Sequence, residues 1–378
     1  MKILHTSDWH LGAMDGTRSL FEDQRFFLDR IGEIVRENGV DAVLIAGDIY
    51  DRSVASAEAV RLYDRAMTKL CLETGVAVLS IAGNHDSAER LSSCGELLSK
   101  EGLYICGSLE REPFTVEFPD TEISLLPWIT EEKVKSVFPE KKEAIRSLED
   151  AYQIVTDNIR AGLDPNKKHI IVSHAFITDS ETSTSDRAAE IGFATQVSAK
   201  VFDGFDYVAL GHIHKPQNVT DTVRYSGTPM PYSFGKEETQ EKSVTLIDTE
   251  DMSQTILPLP LLHSRRTFTG TLEEILHPSC SDAERNGFVR LCVTDEYLGL
   301  ETLSRLREIY PNLLEAFGKS FEGEETTVTL KVEDLKKIEN DPIAVFCHFC
   351  KEQTGEDANP HLLELFKKAV EKTEEETI

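Results

Sequence analysis

The chain has 378 residues, 40% of them hydrophobic and 28% charged, which suits a globular protein of two or three domains. It contains no run of about 18 apolar residues, so the sequence predicts no transmembrane helix and no membrane association. The formal net charge of −27 opposes nonspecific attraction to DNA or to anionic lipids, and we attribute most of it to solubility.

The first hundred residues alternate between predicted strands and predicted helices. Apolar runs predict strands over 2–6, 40–46 and 76–82. Apolar residues at helical spacing predict helices over 22–38, 55–72 and 87–100. This alternation predicts a sheet that is covered by helices on its faces.

From residue 103 onward the pattern changes to shorter strands. They are predicted over 103–106, 114–118, 122–126, 169–173, 207–210, 224–226 and 243–248, with one helix over 140–161. The polar segment 178–185 is rich in Ser and Thr and predicts a mobile loop. Residues 1–265 are therefore predicted to form one α/β domain, a two-layered β-sandwich flanked by helices.

Two further segments follow this domain. Residues 266–340 are predicted to form a small α/β accessory domain, with strands over 268–272, 288–294 and 326–332 and a helix over 300–309. In residues 341–378, Asp341-Pro342 and Asn359-Pro360 each place a capping residue before a proline, which predicts two short helices. These helices are so apolar that they either dock on their own domain or offer a groove to a partner helix.

Five segments end an apolar run with Asp, Asn or His side chains. They are Asp8-Trp9-His10, Gly47-Asp48, Gly83-Asn84-His85-Asp86, His174, and Gly211-His212-Ile213-His214. A carboxylate at the carboxyl end of a buried strand is poorly placed for stability but well placed for chemistry. Five such ends predict one metal site that is built from the ends of several strands.

These ends offer seven candidate metal ligands, which are Asp8, His10, Asp48, Asn84, His174, His212 and His214. Mixed nitrogen and oxygen ligands suit Mn²⁺, iron or Zn²⁺ better than Ca²⁺, and Asp48 has two oxygens with which to bridge two ions. Two ions ~3.5–4 Å apart can activate water and stabilise both oxygens of an in-line displacement at a phosphoester. His85 adjoins a ligand and can instead protonate the leaving oxygen.

The five motifs, in this order, resemble those of the calcineurin-like metallophosphoesterase family. The stretches 5–12 and 209–214 narrow the resemblance to the SbcD family, the nuclease subunits of a complex that processes DNA ends. The resemblance implies the metallophosphoesterase fold for residues 1–265 and a capping domain for 266–340. It also implies that the C-terminal helices of 341–378 bind an SbcC-type ATPase subunit.

The resemblance implies a role for each site residue. One ion would be held by Asp8, His10, Asp48 and His214, and the other by Asp48, Asn84, His174 and His212, with His85 as the catalytic histidine. The implied metal is Mn²⁺. Archaeal and eukaryotic relatives carry a second histidine three residues after the bridging aspartate, where this chain has Asp51. Asp51 either orders Arg52 or a water molecule, or is a surface loop residue.

The implied activity is 3′→5′ exonuclease action on duplex ends and endonuclease action on single strands or hairpins, in DNA repair, recombination and replication. The ATPase would control access of DNA to the nuclease site. It would also supply much of the DNA-binding surface, which would compensate for the negative charge of this chain. A homodimer through helices 55–72 and 87–100 is also implied, although core packing alone would give the same apolar pattern. Seven scattered cysteines, an odd number, predict reduced thiols and a cytoplasmic location.

Two other functions remain open at this point. A phosphatase or cyclic-nucleotide phosphodiesterase would use the same ions, although protein phosphatases end the third motif in Glu, where this chain has Asp86. The other alternative is a scaffold on a catalytically dead esterase fold, against which the presence of all seven ligands argues.

Overall fold

The computed structural model describes residues 1–16, 18–178, 180–183, 185–186, 196–296 and 298–318, together with Leu363 and Phe366. The chain divides into two compact units, Met1–Lys319 and Ser320–Ile378, and every element below belongs to the first. The predicted strand over 326–332 lies outside the described residues, as do the predicted helices of 341–378 apart from Leu363 and Phe366, which are both helical. Within the described residues, no helix is both long and apolar enough to cross a lipid bilayer.

Two six-stranded sheets form the body of the first unit. The first sheet has the spatial order Ser253–Pro258, Ser243–Asp248, Lys2–Thr6, Ala42–Ile45, Ala77–Ile81 and Leu103–Cys106. The second has the spatial order Gln217–Asn218, Val223–Tyr225, Tyr207–Gly211, Lys168–His174, Thr121–Leu126 and Phe114–Glu117. In each sheet four consecutive strands run parallel; antiparallel pairing occurs at both edges of the second sheet but at only one edge of the first, whose other edge is the parallel strand Leu103–Cys106. Short two-stranded pairings join Met14–Asp15 to Arg18–Ser19 and Phe176–Ile177 to Gln196–Val197.

The sandwich forms because both faces of its parallel strands are apolar. Successive side chains of a strand point to opposite faces. Ile3 and Leu44 lie in the core between the two sheets, whereas Leu4, Val43 and Ile45 pack under the helices that cover the first sheet. This double burial accounts for the continuous apolar runs, since a strand covered on one face only would alternate.

Helices cover the outer faces of both sheets. They are Phe21–Asn38, Ala57–Met67, Ala88–Leu91 and Gly95–Leu98 beside the first sheet, and Glu131–Val137 and Leu148–Arg160 beside the second. A π-helical turn, Thr68–Glu73, extends the helix Ala57–Met67. Short 3₁₀ turns occur at Ser99–Glu101, Pro139–Ala144, Ala199–Phe202 and Lys236–Thr239.

Two predicted helices are wrong in extent. The helix predicted over 87–100 is two short helices, because Cys94 adopts a left-handed backbone conformation with φ of 61° and interrupts the hydrogen-bonding ladder. The helix predicted over 140–161 begins only at Leu148, because Ser147 and Asp150 form a capping box that starts it there. The preceding segment is the 3₁₀ turn Pro139–Ala144.

Residues 265–317 form a smaller layer with a core of its own. Three parallel strands, in the order Arg265–Gly270, Phe288–Val293 and Leu313–Phe317, pack against the helices Leu272–Leu276, Asp282–Arg285 and Leu300–Ile309. The enclosed side chains include Ile275, Val289, Leu291, Leu306 and Tyr310. This layer stays within the first compact unit, since Arg265 pairs with Asp15 and its guanidinium is fully buried.

Candidate metal centre

Backbone contacts between strand ends bring the five predicted segments together. The backbone N–H of Asp8 donates to Gly47 O over 3.0 Å, which ties the first two loops of the first sheet. The second sheet is joined to them by His174, whose Nδ1 donates to Ala46 O over 2.8 Å, and by His212, whose backbone N–H donates to Asp8 Oδ1 over 2.9 Å. Residues up to 204 positions apart in the chain therefore share one edge of the sandwich.

The loops at this edge have unusual backbone conformations. Of the six non-glycine residues with positive φ in the described part of the chain, four are predicted ligands, namely Asp8, His10, Asp48 and His212. Such conformations are costly for L-residues and concentrate at functional sites. Gly47 allows the close approach, because a Cβ added there would lie 2.5 Å from His174 Nδ1.

Asp48 lies at the centre of the cluster and is 2% exposed. Its Oδ2 lies 3.4 Å from Nε2 of His174, 3.8 Å from Nε2 of His10 and 3.9 Å from Nε2 of His85. Its Oδ1 accepts a hydrogen bond of 2.9 Å from the backbone N–H of His85. Imidazoles from three separate segments of the chain therefore lie around one oxygen of the Asp48 carboxylate.

One group of predicted ligands surrounds Asn84. Its Oδ1 lies 2.9 Å from His174 Nε2 and 3.1 Å from His212 Nδ1. Its buried Nδ2 has no hydrogen-bond partner among the described residues. The amide is therefore held by its oxygen, the atom that would bind a metal ion.

The other group contains Asp8, His10 and His214, whose ligand atoms all lie within 4.8 Å of one another. His10 Nε2 is 3.1 Å from His214 Nε2, and Asp8 Oδ2 accepts a hydrogen bond of 2.6 Å from the Ser7 hydroxyl. A third set with the same mutual spacing contains His10, Asp51 and His85. Asp51 therefore lies beside the cluster with a partly exposed side chain. Its Oδ2 is also 3.3 Å from Arg52 Nε, which agrees with the prediction that Asp51 orders Arg52.

Burial keeps three of the imidazoles uncharged. It lowers the pKa of His10 and of His212 to about 3, against the attraction of Asp48, and it lowers the pKa of His214 well below its usual range. A metal ion binds only the neutral form of imidazole. These histidines are therefore ready to act as ligands at neutral pH.

His174 and Asp48 behave as a charged pair instead. Burial lowers the pKa of His174, but the Asp48 carboxylate outweighs it and raises that pKa to about 9. Burial likewise raises the pKa of Asp48, but His174 outweighs it and holds the pKa well below its usual range. Burial also raises the pKa of Asp8 to about 7, which marks a position that needs a neighbouring positive charge.

His85 is held differently from the proposed ligands. Its Nδ1 lies 2.9 Å from the backbone carbonyl oxygen of Asp51. Because a carbonyl oxygen can only accept, Nδ1 carries a hydrogen and Nε2 is the nitrogen that faces Asp48. The Asp86 carboxylate stabilises this loop, because it accepts hydrogen bonds from the backbone N–H groups of Ile49, Tyr50 and Gly83.

The donor set fits a pair of divalent cations. All seven predicted ligands and His85 converge, their side chains are buried or nearly so, and their nitrogen and oxygen atoms lie within reach of a shared carboxylate. Such mixed ligands suit Mn²⁺, iron or Zn²⁺. A bound cation would also offset the negative charge that burial makes costly at Asp8 and Asp48.

The sequence reasoning missed several supporting residues. Trp128 stacks on His212 with ring centroids 5.2 Å apart, and Tyr232 lies edge-on to His10 at 5.6 Å. The sequence could have predicted a role for Trp128, because this residue follows the carboxyl end of the parallel strand Thr121–Leu126. Ser185, Glu237 and Lys242 lie behind His214 and carried no motif.

Comparisons with known proteins match two segments of this chain to family models and most of its length to one relative. The family model of the calcineurin-like phosphoesterases matches residues 1–216, and the model described as the type 5 capsule protein repressor C-terminal domain, SbcD_C, matches residues 260–354. The SbcD component of the nuclease SbcCD from Staphylococcus epidermidis is 31% identical over 344 residues, which cover 89% of this chain and 91% of that protein.

Two solved structures are more distantly similar. A protein of Thermus thermophilus has 15% identity and a TM-score of 0.39, with 68% of this chain and 99% of that chain covered. A dimetal phosphatase from Danio rerio has 14% identity and a TM-score of 0.40, with 69% and 99% covered.

The family-model matches and the relative from Staphylococcus epidermidis confirm the family that the five motifs indicated, together with the predicted two-layered fold and the use of divalent metal. The chain belongs to the calcineurin-like phosphoesterases and, within them, to the SbcD family of nuclease subunits, so it is a metal-dependent phosphodiesterase.

Proposed function

We propose that this chain is the Mn²⁺-dependent DNA nuclease of an SbcCD-type complex, in which it processes DNA ends for repair, recombination and replication. It acts as a 3′→5′ exonuclease on duplex ends and as an endonuclease on single strands and hairpins. The observation that carries the proposal is the position of Asp48, within 3.4–3.9 Å of imidazoles from three separate loops. Because the chain belongs to a family of phosphoesterases, we assign phosphodiester hydrolysis to this cluster.

The proposed ligand sets follow the two groups described above. One ion is assigned to Asp8, His10, Asp48 and His214, and the other to Asp48, Asn84, His174 and His212. The mutual spacing of Asp8, His10 and His214 supports the first set, and the short distances from Asn84 Oδ1 to His174 and His212 support the second. When bound, the two ions would supply Lewis-acid stabilisation of phosphate charge and lower the pKa of the attacking water.

The chain's own contribution to the chemistry is the placement of His85. Its Nδ1–H is tied to the Asp51 carbonyl oxygen, so its Nε2 holds a proton only as imidazolium and faces the Asp48 carboxylate. That proton can pass to the 3′ oxygen as the phosphodiester bond breaks, which makes His85 the proposed general acid. Asp51 acts here through its backbone, which explains why a carboxylate is compatible with that position.

The proposed domain layout is a nuclease domain over 1–265, a capping domain over 266–340 and ATPase-binding helices over 341–378. The SbcD_C family model matches residues 260–354 and so begins near residue 265, which supports a domain boundary at that position. A net charge of −27 leaves most of the DNA-binding surface to the SbcC-type partner and the metal ions. Cys71, Cys94, Cys106, Cys280 and Cys292 are free thiols, which supports the proposed cytoplasmic location.

A homodimer through the segments 55–72 and 87–100 completes the proposal. These segments border a largely apolar groove of about 400 Å³ whose lining includes Val60, Met67 and Leu98. Val60 is 47% exposed and Leu72 is 62% exposed, although both belong to this apolar surface. A second copy of the chain would bury them.

Cleavage of end-labelled duplex and hairpin DNA with Mn²⁺, with and without the SbcC-type ATPase, tests the proposal. We expect shortening of duplexes from the 3′ end and opening of hairpins, both enhanced by the ATPase with ATP. Parallel assays with mononucleotides, cyclic nucleotides and phosphopeptides test the phosphatase alternative. Turnover of that panel without cleavage of either DNA would contradict the nuclease proposal.

A further inference from the structure

A buried polar network lies behind His214, on the side away from Asp48. Glu237 is 1% exposed and Lys242 is 2% exposed, and their charged groups lie 3.4 Å apart. Lys242 Nζ also donates to Thr228 Oγ1 over 2.8 Å and to the backbone oxygen of His214 over 3.4 Å. A buried ion pair is tolerated only when its remaining hydrogen bonds are satisfied, and here they are.

The hydrogen bonds of Glu237 have a defined direction. Its Oε2 accepts from the backbone N–H of Tyr232 over 2.9 Å and from Lys242, while its Oε1 accepts from Ser233 Oγ over 2.9 Å and from Ser185 Oγ. An ionised carboxylate can only accept, so the Ser185 hydroxyl gives its one hydrogen to Glu237. The oxygen of Ser185 is then available only as an acceptor towards any further partner.

That further partner is His214 Nδ1, which lies 2.5 Å from Ser185 Oγ. Since Ser185 accepts there, Nδ1 carries the hydrogen, and in a neutral imidazole Nε2 is left with its lone pair. Nε2 is the atom that faces His10 and the proposed metal position. Asp186 Oδ1 lies further from Nδ1, at 3.5 Å, and favours the same tautomer.

We propose that Glu237 is a positioning residue of the metal centre, which acts through Ser185 to hold His214 in the tautomer that presents Nε2 to the metal ion. The inference rests on the proposed role of His214 as a ligand. Outer hydrogen bonds of this kind fix the orientation and tautomer of metal-binding histidines, and their loss typically lowers metal affinity by about 10–100-fold.

The substitution Glu237→Gln tests the direction of the hydrogen bonds with almost no change in shape. The Tyr232 N–H and the Lys242 ammonium are both donors, so they select the amide oxygen of the new side chain. Its NH₂ group is thereby directed at Ser185, which must now accept from it and donate to His214 Nδ1. The variant therefore favours the tautomer with hydrogen on Nε2, which cannot bind metal.

The matched control is Glu238→Gln on the same turn. Glu238 faces away from His214 and accepts from the backbone N–H and the hydroxyl of Thr267. Ser185→Ala is the second test variant, because it removes the hydroxyl that links Glu237 to His214 and leaves the Glu237–Lys242 pair in place. With Asp186 still beside Nδ1, we expect a smaller effect from Ser185→Ala than from Glu237→Gln.

Two measurements are made on the full chain. Calorimetric titration with Mn²⁺ should show an affinity about 10–100-fold weaker for one of two ions in Glu237→Gln, about 10-fold weaker in Ser185→Ala, and unchanged in Glu238→Gln. The ¹⁵N spectra of histidine-labelled, metal-free protein should show the Nδ1–H tautomer of His214 in the wild type and the Nε2–H tautomer in Glu237→Gln. Thermal unfolding establishes that each variant is folded.

The outcomes separate this inference from the proposed function. If His214→Ala still binds two Mn²⁺ ions, His214 is not a ligand and the metal assignment itself fails. If His214→Ala loses an ion while Glu237→Gln and Ser185→Ala keep wild-type affinity and tautomer, only the positioning role is overturned. Should Glu237→Gln fail to fold, an unchanged Ser185→Ala overturns the role by itself.

Discussion

Replacing His85 with Gln should slow DNA cleavage strongly without weakening metal binding. The substitution keeps the backbone N–H that donates to Asp48 Oδ1 and removes the imidazole nitrogen that lies 3.9 Å from Asp48 Oδ2. Loss of a positioned general acid costs about 10²–10⁴-fold in rate, which corresponds to roughly 3–5 kcal/mol of activation free energy. Because no proposed ligand is altered, the affinity for both Mn²⁺ ions should stay near that of the wild type.

The assay compares two phosphodiesters with different leaving groups. DNA releases a strongly basic 3′ alkoxide that needs a proton, whereas bis(p-nitrophenyl) phosphate releases a weakly basic phenolate that does not. The His85→Gln variant should therefore lose much more activity on DNA than on the aryl ester. His169→Gln is the matched control, since His169 is also partly buried but its Nε2 bonds to Asp164 O, away from the centre.

Equal losses on both substrates would refute the role of His85 as general acid. They would indicate that the imidazole helps instead to bind the phosphate or a metal ion. Weaker Mn²⁺ binding in the variant would point to the same conclusion, because the three-residue set His10, Asp51 and His85 has a spacing compatible with a ligand role.

Three other predictions concern proton linkage and assembly. Burial lowers the pKa of His174 but Asp48 raises it to about 9, so Mn²⁺ binding at neutral pH should release roughly one proton or more per chain; calorimetry that shows no dependence on buffer ionisation enthalpy would contradict this. Burial lowers the pKa of His5 from 6.5 to about 3, so the unfolded state binds more protons and stability should fall as the pH drops from 6.5 towards 3. Urea unfolding of His5→Gln in chelator should show a flatter pH dependence than the wild type, and an identical slope would argue against this linkage. Leu72→Glu should convert the proposed homodimer to a monomer in light scattering, with Glu73→Gln as the control; an unchanged mass would place the dimer interface elsewhere.

The sequence was most informative where burial is strongest. The strand over 103–106 was predicted with the bounds that the structure shows, because its apolar run is covered on both faces and leaves little choice of conformation. The edge strand Ser253–Pro258 was missed, since most of its residues are exposed and half of them are polar. The strand Leu313–Phe317 was missed as well, because it is short and only partly buried.

The proposed metal ligands were found from sequence because each follows a strand end, and parallel strand ends gather at one edge. The sequence did not predict their backbone conformations, since positive φ, as at Asp8, Asp48 and His212, is uncommon for any residue other than glycine. The sequence also did not predict the hydrogen-bond network of Ser185, Glu237 and Lys242 behind His214. Ser185 lies 29 residues before His214, and Glu237 lies 52 residues after Ser185, so tertiary packing alone brings them together. The polar segment 178–185, predicted as a mobile loop, supplies one of these contacts through Ser185.

Anomalous diffraction from crystals soaked in Mn²⁺ tests the central claim most directly. We predict two peaks about 3.5–4 Å apart that share the Asp48 carboxylate, one beside Asp8, His10 and His214 and the other beside Asn84, His174 and His212. A single peak, or peaks that do not contact Asp48, would contradict the account.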